Sequence, residues 1–331
     1  MAMKRIGVLG SMVWDRIYAR DGRSVPIEEW GGISYALGGA AAAAGDDVRI
    51  VPIIRVGADL AEPALRFLHT LPGFDLDTGV RIVDAPNNRV ELRYQDRQRR
   101  FEKLTGGVPP WTWPELEPIV DTLDALYVNL ISGFELDLAT AQQLRLSFHG
   151  PIYTDLHSLF LGVGPDGMRV PRPLEHWPEW LRCFDIVQVN EDELNLLAHA
   201  WQGDPWRFAA DAVGNEMRLL LVTLGDRGSA YVASPAWTPD PLRWYQRGLV
   251  RPTIVRTGGA VRSGRLGIVS APDEGDPTGC GDVWGATCAL HLFRGAEIED
   301  AMRAANRAAA RNVEHRGASG LHHHLSGRIG T

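Results

Sequence analysis

Cysteine is nearly missing from this chain: of 331 residues only Cys183, Cys280 and Cys288 are cysteine. An odd number without metal-ligand spacing offers neither a disulfide framework nor a zinc site, and a reducing, cytoplasmic setting is expected. Lysine is scarcer still, with Lys4 and Lys103 alone, and the formal charge is −7. Nucleic acid and anionic membranes are held by clustered Lys and Arg, so neither partner is expected. No apolar run approaches the roughly 18 residues that cross a bilayer. The first residues lead straight into a strand-like stretch, so a soluble chain without a removed leader is expected. Repeats, coiled-coil heptads and long linkers are lacking too, and the chain is read as one unit over residues 1–331.

What is present is an alternation of apolar strands with helical stretches. Residues 5–9 are short, apolar and end at Gly10, as a buried first strand does. The run GGISYALGGAAAAAG, 31–45, predicts a closely packed helix in which Gly38 and Gly39 sacrifice propensity for close approach, and RIVPIIRVG predicts the next strand. Further strands are expected in ALYVNLI, PIYTDL, DIVQV and LLLVTL, with helices at LATAQQLRLSF and NEDELNLLAHAW. That rhythm means a mostly parallel sheet covered by helices. Residues 88–104 instead alternate apolar with charged, as a half-exposed hairpin does, with Gln95 to Gln98 as its turn. Residues 234–264, rich in Pro, Trp, Arg and Gly, are read as loops and edge strands, and a last long helix is expected from 282 to 314, broken near Gly295, before a Gly and His tail.

The segment DPTGCGDVWGATCALHLF, 276–293, carries the chemistry. Gly279 and Gly281 let the backbone turn so that successive amides converge, and the helix that follows directs its dipole at the same point, which makes an anion site. A carboxylate there would repel a phosphate, so Asp282 needs a reason. It either caps its own helix or accepts the proton of a hydroxyl that attacks a phosphoryl group.

The run DPTGCGD resembles the C-terminal signature of the ribokinase/PfkB carbohydrate kinase family, D-T-x-G-A-G-D, with Pro277 and Cys280 at variant positions. Gly10 and Asp15 in GSMVWD, the pair Gly31 and Gly32, and Gly45, Gly57 and Asp59 resemble its N-terminal features. Asn190 and Glu193 in VNEDE resemble its N-x-x-E motif, and Thr223, Gly225 and Gly228 in TLGDRG its T-x-G-x-x-G nucleotide loop. Asn306 and Gly317 fall where the family has its late nucleotide-side helix.

The resemblance implies an α/β, ribokinase-like three-layer α/β/α fold with a mostly parallel sheet and a small β lid at about 11–30 and 88–104. It implies transfer of the γ-phosphoryl of ATP to a hydroxyl of a sugar, sugar acid or polyol. Asp282 would be the base, and the amides of Gly279, Cys280 and Gly281 the anion hole. Asn190, Glu193, Thr223, Gly225, Gly228 and Asn306 would serve the nucleotide, with magnesium organised indirectly by Glu193. Asp15, Gly31 and Gly32 would bind the acceptor. Asp276 resembles a residue that helps bind a monovalent cation in some members, and potassium is left open.

Plainer readings stand beside these: Asn190 as a helix N-cap, the glycine loop as a hairpin turn, Asn306 as a polar residue on a helix face, Asp15 as a turn former. Gap-free counting puts Ala36 where many sugar kinases of the family carry an acceptor-binding Asn, so ribose or fructose does not follow, and Ser34, Tyr35 or a lid Arg could substitute. His157 likewise stands where the family carries Asn near Asp155. A nucleoside or other alcohol kinase, and a non-catalytic metabolite-binding homologue, are the alternatives. A nicotinamide dehydrogenase fits less well, because GVLGSM lacks the full glycine turn. The tract His322, His323, His324 reads as solvated tail, and the Cys280 thiol as no nucleophile. A homodimer through the lid is compatible with the Val90, Leu92, Tyr94 alternation, although a lid closing on substrate needs the same face.

Overall fold

Strands that are apolar on both faces must be covered twice, and this requirement builds the molecule. The computed structural model describes residues 3–18, 25–94, 100–215, 217–244, 260–268 and 275–327. The strands are β1 (Lys4–Leu9), β2 (Met12–Tyr18), β3 (Ile27–Gly32), β4 (Val48–Gly57), β5 (Val80–Val83), β6 (Arg89–Tyr94), β7 (Arg100–Thr105) and β8 (Ala125–Asn129). They continue as β9 (Ile152–Asp155), β10 (Leu161–Val163), β11 (Arg169–Pro171), β12 (Ile186–Asn190), β13 (Leu219–Thr223), β14 (Ser229–Ala233) and β15 (Arg262–Leu266). The helices are α1 (Ile33–Ala43), α2 (Ala61–His69), α3 (Leu76–Gly79), α4 (Trp113–Val120), α5 (Leu138–Ser147), α6 (Trp177–Arg182), α7 (Glu191–Trp201), α8 (Pro205–Asn215), α9 (Cys280–Phe293), α10 (Ile298–Asn312) and α11 (Leu321–Ser326).

The large sheet runs β15-β14-β13-β12-β9-β8-β1-β4-β5. It is parallel from β13 to β5, and β14 is antiparallel to both of its neighbours. Alternation sends Ile6 and Val8 of β1 into a core with α1, α2, α9 and α10, and Leu9 into a second core with α4 to α8. The result is a three-layer α/β/α arrangement. The order in which successive strands are added reverses between β1 and β8, so their carboxyl ends open the crevice in which sheets of this kind bind ligands.

The glycines of α1 act as anticipated. A Cβ on Gly39 would stand 3.2 Å from the Val283 backbone, so α1 lies directly on α9. The anticipated break of the last helix lies between α9 and α10, where Gly295 has φ 88°. The His tract differs from a solvated tail: it forms α11, and His322 is buried. Fewer than two turns of helix give too little apolar spacing to register in sequence, yet Leu321 anchors the segment under α1.

The lid is the separate sheet β3-β2-β6-β7. The stretches 19–24 and 95–99, with the anticipated turn at Gln95 to Gln98, lie outside the described residues, as does 245–259. The hairpin β10–β11 was not anticipated. It meets the outer edge of β7 through a bridge at Lys103 and Met168 and a bond from Leu104 N to Gly167 O at 2.9 Å.

Candidate active site

The first turn of α9 begins at Gly279, whose φ of 76° a side chain would resist. Its Cα also lies on the Tyr35 ring, which a Cβ would meet at 2.2 Å. Asp276 sets up this turn by accepting from Thr278 N at 2.9 Å, and Asn312 of α10 holds it by donating to Thr278 O at 2.8 Å. The Cys280 amide donates to Pro277 O at 3.1 Å, closing the turn, so the anion-hole expectation rests on Gly279 and Gly281. A Cβ on Gly281 would meet nothing within 4 Å among the described residues, so that side is open. The Cys280 thiol points the other way, 3.4 Å from Ala309 O, and burial pushes its pKa up to about 11. A protonated thiol facing α10 is no nucleophile.

Asp282 sits in this first turn, where its carboxylate accepts from Asn129 Nδ2 at 2.7 Å. Asn129 is the last residue of β8 and fully buried, and its Oδ1 has no hydrogen-bond partner among the described residues. The sequence reading did not single it out. A polar residue ending an apolar strand was the available signal.

A buried relay supports the same turn. Tyr153 donates to Gln188 Oε1 at 2.7 Å, and Gln188 Nε2 donates to Asp155 Oδ2 at 2.7 Å and to Gly281 O at 3.3 Å. Burial pushes the Asp155 carboxyl well up, Glu193 and Asp282 add to this, and His157 opposes them. The half-exposed His157 lies 3.3 Å from Glu193 Oε1. Burial lowers its pKa, but Glu193, Asp155 and Asp282 outweigh that and hold it at about 9. His157 thus stands among three acidic side chains at the end of β9 and in the first turns of α7 and α9.

Asn190 and Glu193 form a capping box on α7: Asn190 Oδ1 accepts from Glu193 N at 2.9 Å, and Glu193 Oε2 accepts from Asn190 N at 2.8 Å. Thr223, Gly225 and Gly228 form the β13–β14 hairpin turn, with Leu224 N donating to Gly228 O at 2.8 Å. A Cβ on Gly228 would lie 2.0 Å from Leu266 O. Asn306 is buried between elements: its Oδ1 accepts from Trp284 Nε1 at 2.7 Å and Ser229 Oγ at 3.0 Å, and its Nδ2 donates to Gly267 O at 3.2 Å. The plainer structural roles of these residues are therefore present, and they hold the loops at the ends of β13 and β15.

On the lid, Asp15 is buried with its carboxylate against Gly31, where a Cβ would meet Oδ2 at 1.8 Å. Gly32, with φ 58°, turns the chain from β3 into α1. Ala36 is 0% exposed and packs in the core, so position 36 offers an acceptor nothing. Tyr35 is different. Its hydroxyl is buried without a hydrogen-bond partner among the described residues, and burial with Glu29, Asp15, Asp276 and Asp282 raises its pKa.

Among known proteins, residues 165–323 match the model of the pfkB family carbohydrate kinases. A PfkB family domain thus covers residues 165–323. The fold agrees with solved structures over nearly their whole length. A pyrophosphate-dependent kinase of the ribokinase family has TM-score 0.71 at 18% identity, over 96% of this chain and 98% of that one. Ribokinase from Arabidopsis thaliana, solved with ribose and ATP, has TM-score 0.66 at 20% identity, with 98% of each chain covered. The nucleoside kinase of Methanocaldococcus jannaschii has TM-score 0.66 at 14% identity, with 99% of each covered. No curated protein matches the sequence. The PfkB match includes α9 and its Asp282 but not β8 and its Asn129, so the bond between them joins the matched half to the rest.

Proposed function

We propose that this protein is a kinase that transfers the γ-phosphoryl of ATP to a hydroxyl of a sugar, sugar acid or polyol, the whole chain acting as one kinase unit. The observation that carries the reading is Asp282, held by Asn129 at the N-terminus of α9 where the parallel strands end. A pure binding protein has no use for an oriented carboxylate beside an anion-binding turn.

In this reading Asp282 takes the proton of the acceptor hydroxyl. The acceptor oxygen forms the new P–O bond as the bond to the leaving ADP breaks, while the amides of Gly279 and Gly281 and the positive end of α9 meet the charge on the transferring group. Asp15, Gly31 and Gly32 border the acceptor, with Tyr35 offering the hydroxyl that Ala36 lacks. Thr223, Gly225 and Gly228 border the nucleotide, and Asn306 keeps those loops in place.

Among the described residues no group of three or more His, Cys, Asp or Glu side chains is arranged to hold a metal directly. The Glu193 carboxylate already accepts from Asn190 N and Nδ2. These residues fit magnesium held through its waters. Such an ion, when bound with the phosphates, neutralises their charge. Asp276 is the residue proposed to face a monovalent cation.

Burial of Ala36 favours a second reading, a nucleoside or other alcohol as acceptor. The test is an ADP-release assay with ATP and magnesium across sugars, sugar acids, polyols and nucleosides, matched by a phosphate-release assay with pyrophosphate as donor, and both are repeated with Asp282→Asn. Acceptor-dependent release lost in the variant supports the kinase and names the acceptor class. Turnover unchanged in the variant removes Asp282 as base.

A further inference from the structure

Three neighbouring strands end under α9 with polar side chains in one row. Asn129 of β8 lies opposite Asp155 of β9, and Asp155 lies opposite Gln188 of β12. Residues directly opposed on paired strands share a face of the sheet, and alternation from Tyr127, Tyr153 and Ile186 sets this face against α9. All three side chains are buried. Two of them grip consecutive residues of the helix start: Asn129 Nδ2 donates to Asp282 Oδ1 at 2.7 Å, and Gln188 Nε2 to Gly281 O at 3.3 Å.

One atom of the row is left over. Among the described residues the buried Asn129 Oδ1 has no hydrogen-bond partner, and the hydroxyl two residues back on the same face, Tyr127 Oη, makes no bond to it. Such an atom costs free energy unless a donor meets it. The neighbour on the next strand is Asp155, which has no proton to give as a carboxylate and has one as an acid. Its Oδ2 accepts from Gln188 Nε2 at 2.7 Å, whereas its Oδ1 accepts the more distant His157 N at 3.3 Å. Burial above all favours a proton on Asp155, with Glu193 and Asp282 adding to it and His157 opposing.

We propose that Asp155 keeps its proton and donates it to Asn129 Oδ1, which makes Asp155 and Gln188 positioning residues for the base. The proposal rests on the reading of Asp282 as that base. Tyr153 already donates to Gln188, Gln188 to Asp155, and Asn129 to Asp282. The bond from Asp155 to Asn129 closes the gap between these, so one chain runs from the core of the sheet to the base. Its work is orientation. An Asn amide has nearly the same shape either way round, and with Oδ1 toward Asp282 it would repel the carboxylate. A donor on Oδ1 settles the amide so that Nδ2 faces the base, and Gln188 holds both that donor and the Gly281 carbonyl beside it. No proton moves along the chain during transfer.

The test sets Asp155→Asn beside Asp155→Ala, because an amide at 155 still offers a donor to Asn129 Oδ1 and an acceptor to Gln188 Nε2 yet carries no charge. With the acceptor found by the release assay, kcat is expected to fall about tenfold or more in Asp155→Ala and in Gln188→Leu, with the KM for ATP little changed. The conservative Asp155→Asn is expected to recover most of that loss. Infrared difference spectra of the full chain against Asp155→Asn, recorded near neutrality without donor or acceptor, are expected to show the carbonyl band of an un-ionised carboxyl, with circular dichroism confirming the fold. If Asp155→Ala does not fold, Gln188→Leu and the spectrum decide. Asp155→Asn as impaired as Asp155→Ala, full kcat in Gln188→Leu, or a spectrum with ionised carboxylate bands alone overturns the proposal and leaves the base standing. Turnover unchanged in Asp282→Asn overturns the base and the proposal together.

Discussion

Removing the Asn129 amide tests the base through its holder. Asn129→Ala takes from Asp282 a 2.7 Å donor, and a hydrogen bond to a charged group contributes about 1.5–3 kcal/mol, or roughly ten- to a hundredfold. Steady-state kinetics are expected to show that loss in kcat with the KM for ATP little changed. A raised KM at full kcat would mean that Asn129 serves binding instead. The thiols give a second residue-scale prediction. Burial pushes Cys280 up to about 11 and Cys183 to about 12, so both are protonated near neutrality. Iodoacetamide at pH 7.5 should label them far more slowly in the folded chain than in urea, as read by mass spectrometry, with activity kept. Rapid labelling of Cys280 together with loss of turnover would restore it as a reactive residue.

Among the elements, α9 lies close against the sheet. A Cβ on Gly285 would meet Tyr127 Oη at 2.4 Å and Gln188 Oε1 at 2.6 Å. Gly285→Ala must lift the helix or break the relay from Tyr153 to Asp155, and overpacking of this kind costs about 1–3 kcal/mol. A lower melting temperature and reduced turnover are expected together; an unchanged melting temperature would show that the helix yields freely. This element was legible in sequence because its signal is local: glycines around a turn, a carboxylate, then an apolar run. Gly38 and Gly39 were legible for the same reason. Asn129 and Gln188 were not, because each is one polar letter in an apolar strand whose worth lies in a bond to a distant segment. The hairpin β10–β11 was missed because its strands are three residues each, too short for alternation to show.

At the scale of the whole molecule, the covering of the lid bears on how many chains are expected to come together. Val13, Val90 and Leu92 form a small cluster with Ile131 of the main body, so the lid's apolar face is covered by its own chain. One edge of the lid, β7, meets the β10–β11 hairpin, and the other, β3, carries Glu28 and Glu29, charges that discourage strand addition. Light scattering is therefore expected to give the mass of one chain, and a stable dimer would require the lid to open its apolar face to a partner.

The bond from Asn129 to Asp282 spans 153 residues of chain, with the holder made early and the base near the end. On the proposed chemistry a polypeptide still leaving the ribosome can have its lid and every strand of its sheet but no means of turning over ATP. Competence arrives in a single late event, when α9 docks, and a chain truncated before it is born inert.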